Sequence, residues 1–122
     1  MKYFVNVSNH KSEYWYAEQR QAAEHYGTIV DIPFPSIDSN ADESDIAVLV
    51  EDFYNKIKKY ELGAVMVQGE FTFSYALIKR LRAEGVTVLA ACAEREVVEK
   101  YKPDGTVYKQ STFRFCRFRE YI

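Results

Sequence analysis

The sequence predicts an α/β fold: a Rossmann-like three-layer sandwich with a mainly parallel sheet of four strands and three helices, plus a C-terminal antiparallel β-hairpin. Three observations carry this. Short apolar runs alternate with stretches of helical period from residue 3 to residue 92. The strand-to-strand connections are long enough to be crossovers, which makes neighbouring strands parallel and fixes their hand. Past residue 95 the helical period disappears, and two extended runs flank Lys102-Pro103-Asp104-Gly105, a tight-turn sequence. One domain is expected, with a parallel core over 1–95 and a hairpin over 96–122.

Taken in order, Tyr3 to Val7 (YFVNV) is a strand covered on both faces, with Asn6 embedded in it. A polar turn, Ser8 to Ser12, follows. Trp15, Tyr16, Gln19, Ala22, Ala23 and Tyr26 then mark a helix with Ser12 as N-cap and Gly27 as its stop. Thr28 to Phe34 is the second strand, ended by Pro33 and Pro35. From Asp42 or Ser44, the positions Ile46, Val50, Phe53, Ile57 and Tyr60 form one helix face packed on a sheet. Gly63 to Val67 is the third strand and Gln68-Gly69-Glu70 a second polar turn. Phe73, Leu77, Ile78 and Leu81 mark the third helix, which stops at Gly85, and Val86 to Cys92 is the fourth strand. In the last run Arg114, Arg117 and Arg119 interleave with Phe113, Phe115 and Phe118. Strict alternation divides this set between two faces, as on a half-exposed edge strand guarded by charge.

A chain of 122 residues is long enough to bury one core unaided. Its net charge of -2 removes the generalised basic surface that long nucleic acid needs, while a small anion in a local site stays open. Aromatic residues make up 16%, more than a small core requires, so some rings are expected to line a pocket or a subunit contact. Cys92 and Cys116 have no CxxC or metal-ligand spacing and read as buried thiols of a reducing compartment. No apolar run approaches the ~18 residues of a membrane span, and no signal peptide is expected, which points to the cytoplasm. The sequence holds neither GxGxxG, GxxxxGK[ST] nor GxSxG, and no metal-ligand cluster, so neither cofactor nor metal is expected.

Ligands of open parallel sheets bind beyond the carboxyl ends of the strands. That rule gathers three stretches: Ser8 to Ser12, Gln68 to Thr72, and Cys92 to Arg95. His10 is the residue suited to moving a proton near neutrality. Lys11 and Arg95 can neutralise phosphate charge. Ser8, Asn9, Ser12 and Thr72 can bond a ligand, and Gly69 permits close backbone approach beside Gln68. Trp15 and Gln19, at i and i+4, can stack on a base and read its edge. Glu70 can act as a base or bond a ribose. Against these stand plainer roles: loop solvation for His10 and Lys11, capping for Ser12, core packing for Trp15, and the helix dipole for Glu70.

The turn N-V-S-N-H-x-S-x-x-W-x-x-x-Q, Asn6 to Gln19, resembles the opening of small CRISPR-associated accessory proteins of type III systems, which bind or cleave cyclic oligoadenylate second messengers. Ser8, His10 and Gln19 are the matching positions, whereas Asn9 and the Trp15 region depart from the pattern. The resemblance implies a homodimer whose two sheet ends form one symmetric basin for a ring of adenylates. It further implies metal-free cleavage, as in ring nucleases, or sequestration, as in the non-cleaving members. In cleavage a ribose 2′-hydroxyl attacks the adjacent phosphorus in line. Backbone N–H groups of residues 9–12 with Lys11 or Arg95 hold the phosphate, and His10 moves the proton. Two rivals remain open at this point: a nucleoside or nucleotide glycosyl transferase with Glu70 as nucleophile near Tyr3 or Tyr14, and a plain interaction module.

Overall fold

Strands and helices alternate through the computed structural model, which describes residues 1–122. They are β1 (Tyr3–Ser8), α1 (Ala17–Glu24), β2 (Thr28–Pro33), α2 (Glu43–Lys58), β3 (Leu62–Gln68), α3 (Phe71–Ala83), β4 (Val88–Tyr101) and β5 (Val107–Glu120), with a 3-10 turn at Ser12–Tyr14. The sheet order is β2-β1-β3-β4-β5; the first four strands are parallel and β5 is antiparallel to β4. Order reverses between β1 and β3. The result is a mixed α/β architecture with a five-stranded, mostly parallel sheet.

Side-chain alternation along the strands divides the core in two. Val5, Val7, Val65, Val67 and Val88 pack against Phe53, Tyr54 and Ile57 of α2 and Phe73, Leu77 and Leu81 of α3. Phe4, Ala64, Met66 and Leu89 form the opposite cluster with Ala23 of α1 and Phe118 of β5. Where β3 begins, a Cβ on Gly63 would lie 1.9 Å from the Tyr26 carbonyl oxygen. Only glycine fits that crossing of backbones.

The helices follow from local chemistry. At the start of α2, Asp42 accepts the Asp45 N–H at 2.9 Å while the Asp45 carboxylate accepts the Asp42 N–H at 3.1 Å, a reciprocal capping box. α1 is shorter than the sequence predicts, beginning at Ala17 rather than at a Ser12 cap. Trp15 and Tyr16 are extended, with ψ of 147° and 160°, because the Ser12 hydroxyl is engaged by Asp31 of β2 and caps nothing.

Two expectations change at the C-terminal end. The fourth strand and the first arm of the hairpin are one continuous strand, since nothing between Cys92 and Glu96 interrupts extended backbone. β3 pairs with it only at Val88 and Leu89, so the rest of β4 leaves the sheet with β5 as a two-stranded arm. Cys116 is the extra residue of a bulge opposite Cys92 and Ala93, and this leaves its thiol exposed rather than buried; Cys92 is half-buried, and both are free. No helix is long and apolar enough to cross a membrane.

Candidate functional site

Asn6, 1% exposed in the middle of β1, organises the turn that follows it. Its Nδ2 donates to the His10 carbonyl at 2.8 Å and to Asp31 Oδ1 at 2.9 Å, while its Oδ1 accepts the Ser8 hydroxyl at 2.7 Å. Ser8 Oγ in turn accepts the His10 N–H at 3.1 Å. The Ser12 hydroxyl donates to Asp31 Oδ2 at 2.9 Å, and the Ser12 N–H points at the same carboxylate. Trp15 Nε1 places a second donor on the His10 carbonyl at 3.1 Å, and the Arg20 guanidinium holds the Ser12 carbonyl. The backbone of His10 is thereby fixed on both its N–H and its C=O, which orients the imidazole without using it.

The imidazole lines a cleft of about 620 Å³ on the α1 side of the sheet, at the carboxyl ends of β1 and β3. Its floor is Met66, Ala91 and Ala93, and the small alanines leave the space open. β3 and β4 separate here. Gln68 Oε1 accepts the Ala91 N–H at 2.7 Å in place of a ladder bond, and on the other face the Tyr121 hydroxyl donates to the Val67 carbonyl at 2.9 Å. Burial pushes the Tyr121 phenol above its ordinary pKa, with the Cys92 thiol adding to the effect, so it stays a donor.

Rings wall the cleft on both sides: Tyr14, Trp15 and Tyr16 from the turn, Phe113 and Phe115 from β5. Trp15 stands edge-on to Phe4, with centroids 6.1 Å apart and planes at 88°. The bulge at Cys116 decides the second wall. It shifts the register so that Phe113, Phe115 and Phe118 lie opposite Arg95, Ala93 and Ala91 on one face, and Arg114, Arg117 and Arg119 pair with Glu94, Cys92 and Ala90 on the other. Strict alternation misses that sorting.

Of the residues singled out in the sequence, Asn9, His10, Lys11, Trp15, Gln19 and Gln68 come together around this cleft. Six others do not line it. Ser8 and Ser12 are buried within the turn's own network. Gly69 packs under the Phe34 ring, where a Cβ would come within 2.3 Å of ring carbons. Glu70 caps α3, its carboxylate accepting the Thr72 hydroxyl at 2.6 Å and the Thr72 and Phe73 N–H groups, and the Thr72 bonds hold it below the ordinary carboxylate range. Thr72 is its partner there. Arg95 lies out on the arm, with its guanidinium on Ser111 Oγ at 2.9 Å. Asn6, Asp31, Tyr14, Tyr16, Phe113 and Phe115 complete the site without having been singled out in these roles; the aromatic excess and a lone Asn inside an apolar strand were the signals that pointed that way.

No carboxylate lines the cleft, and no group of three or more His, Cys, Asp or Glu side chains is arranged anywhere to hold a metal ion. A larger recess of about 980 Å³ runs beside α3, lined by Phe71, Ser74, Tyr75, Lys79 and Arg82. It shares only Gln68 with the cleft and receives none of the turn residues. Among known proteins, residues 2–119 match the model of the family described as "Uncharacterized protein MJ1673 family", and no curated protein matches the chain.

Proposed function

The chain belongs to the MJ1673 family, whose model covers nearly all of it, and from the cleft we propose that this member is a Rossmann-like, cytoplasmic, homodimeric ring nuclease of CRISPR type III defence that cleaves cyclic oligoadenylates. The observation that carries the reading is the doubly anchored His10 backbone, which presents an imidazole and the Lys11 cation at the rim of an aromatic cleft. Tyr14, Tyr16 and Phe113 are exposed rings on which adenines stack, and the free Nε2 of Gln68 and the amide of Gln19 are placed to read base edges. The absence of carboxylates from the lining suits a phosphodiester. The likeness of the Asn6 to Gln19 turn to CRISPR accessory proteins names the ligand class.

The chemistry needs little from the protein beyond alignment and charge. A ribose 2′-hydroxyl attacks the adjacent phosphorus in line and loses its proton; the 5′-oxygen leaves and gains one, giving a 2′,3′-cyclic phosphate and a 5′-hydroxyl. His10 moves the proton. Lys11 offsets charge on the phosphorane, with Asn9 beside it; the N–H groups of His10 and Ser12 are already engaged by Ser8 and Asp31. Glu70 and Arg95 have no part in this scheme.

A binding-only protein, which sequesters the messenger, is the second reading. His10 is the only imidazole in the cleft and no carboxylate stands beside it to share proton transfer, which is the observation that favours holding over cutting. Incubation with cyclic oligoadenylates of several ring sizes, chelator present and products resolved, tests both. Linear fragments ending in 2′,3′-cyclic phosphate are expected. Tight retention with no product over hours moves the conclusion to sequestration, free base moves it to glycosyl transfer, and no retention of any ring ends it.

A further inference from the structure

The arm formed by β4 and β5 beyond the sheet is a two-stranded ribbon whose residues from Glu94 to Arg114 are all exposed, Val97, Tyr101, Val107 and Phe113 among them. An isolated ribbon of two strands is marginal in water, and three or more strands are needed for independent stability. One edge of β4 is open along this length, because β3 stops pairing at Leu89. Ala91 directs its N–H to that edge, toward Gln68, while Lys102 bonds inward to Thr106. By alternation the odd residues Ala93, Arg95, Val97, Glu99 and Tyr101 present unpaired N–H and C=O groups outward. Such an edge is a template for another strand.

Its own sequence is complementary to it. In an antiparallel pair the outward-facing odd residues must oppose one another, so only registers shifted by two need comparison. Centring the pair on Val97 sets Arg95 against the partner's Glu99 and Glu94 against the partner's Lys100, and symmetry repeats both pairs. Two slips bring a carboxylate onto itself: centred on Glu96, that residue faces the partner's Glu96, and centred on Glu99, it faces the partner's Glu99. Centring on Val98 sets Glu96 against the partner's Lys100 and Glu94 against the partner's Lys102, but Lys102 lies past the end of β4, and Arg95 and Glu99 then face the partner's Tyr101 and the partner's Val97 in place of a charge. Opposite charges placed directly across a ladder stabilise it, and like charges there do the reverse.

We propose that two copies join through this edge, β4 antiparallel to the partner's β4 about a two-fold axis at Val97, making one four-stranded ribbon. The register places Tyr101 across from the partner's Ala93, a floor residue of the cleft, on the same face of the ribbon. Each copy completes the other's site with a ring. The two-fold axis is perpendicular to the ribbon, so both clefts open on the same side, with their Ala93 residues about 27 Å apart at ~3.4 Å per residue. The interface stands without the nucleotide reading; only the role of Tyr101 toward a nucleotide rests on it.

Light scattering and sedimentation, without nucleotide, test the interface on the full chain. The wild type is expected to be a dimer. Arg95→Glu and Glu99→Arg, each introducing two like-charge oppositions, should each weaken it about tenfold or more, and the double variant Arg95→Glu/Glu99→Arg should restore it. Val97→Cys should form a disulfide between copies under mild oxidation, since residues opposed in a hydrogen-bonded pair have Cα atoms about 5.5 Å apart. The wild type, with only Cys92 and Cys116, controls for other cross-links. A monomeric wild type, a dimer indifferent to single reversal, or no Val97→Cys cross-link above the control overturns the proposal. Since every arm substitution is on an exposed surface, circular dichroism is expected to stay unchanged and to separate lost association from lost fold.

Discussion

His10 owes its place to atoms outside its own side chain. Its carbonyl is held by Asn6 and Trp15 and its N–H by Ser8, so backbone and imidazole separate under mutation. His10→Ala should lower turnover by ~10²-fold or more, the usual contribution of a general acid or base, with the melting temperature near wild type because the side chain is exposed. An unchanged rate removes His10 from the mechanism. Asn6→Ala is expected to lower stability as well as disturb the turn that carries His10. It strips partners from Asp31, Ser8 and the His10 carbonyl inside a buried network, and should cost about 1–3 kcal/mol in denaturant unfolding.

Among the elements, α2 rests on a charged cap. The Ser44 hydroxyl and the Asp45 N–H hold the Asp42 carboxyl below the ordinary carboxylate range. A lowered folded-state pKa means stability that is present above the unfolded value and lost as pH falls through the folded one. Asp42→Ala should therefore melt lower than wild type at pH 7, with the gap closing below about pH 4. A gap that persists in strong acid would assign the loss to something other than the ionised cap. At the head of β3, Gly63→Ala forces a Cβ into the Tyr26 carbonyl and should cost about 1–3 kcal/mol. The bulge in β5 is the element that changed the site most. One unpaired cysteine brings three phenylalanines to one face and makes a wall from what reads in sequence as a guarded edge.

For the whole molecule, a true ligand of the cleft must raise stability by mass action. At a hundredfold excess over Kd the gain is about 2.7 kcal/mol, readable as a shift in melting temperature that rises with concentration. A cyclic oligoadenylate that shifts wild type and Asn6→Ala equally would be bound elsewhere than at this turn, because the variant loosens the loop carrying His10.

The amino-acid sequence determined the order of the elements, the parallel core and the meeting of Asn9, His10, Lys11, Trp15, Gln19 and Gln68 at one rim. Those follow from local periodicity, turn residues and the handed crossover, all of which act over a few neighbours. The tertiary structure alone decided that Glu70 faces its own helix and that Arg95 lies on an arm. It also decided that Asp31, opposite Asn6 across the β1–β2 ladder, holds the turn that carries His10. Each of these depends on where a strand ends or slips relative to its neighbour, and a register is a property of two segments far apart in the chain, which no window along one of them contains.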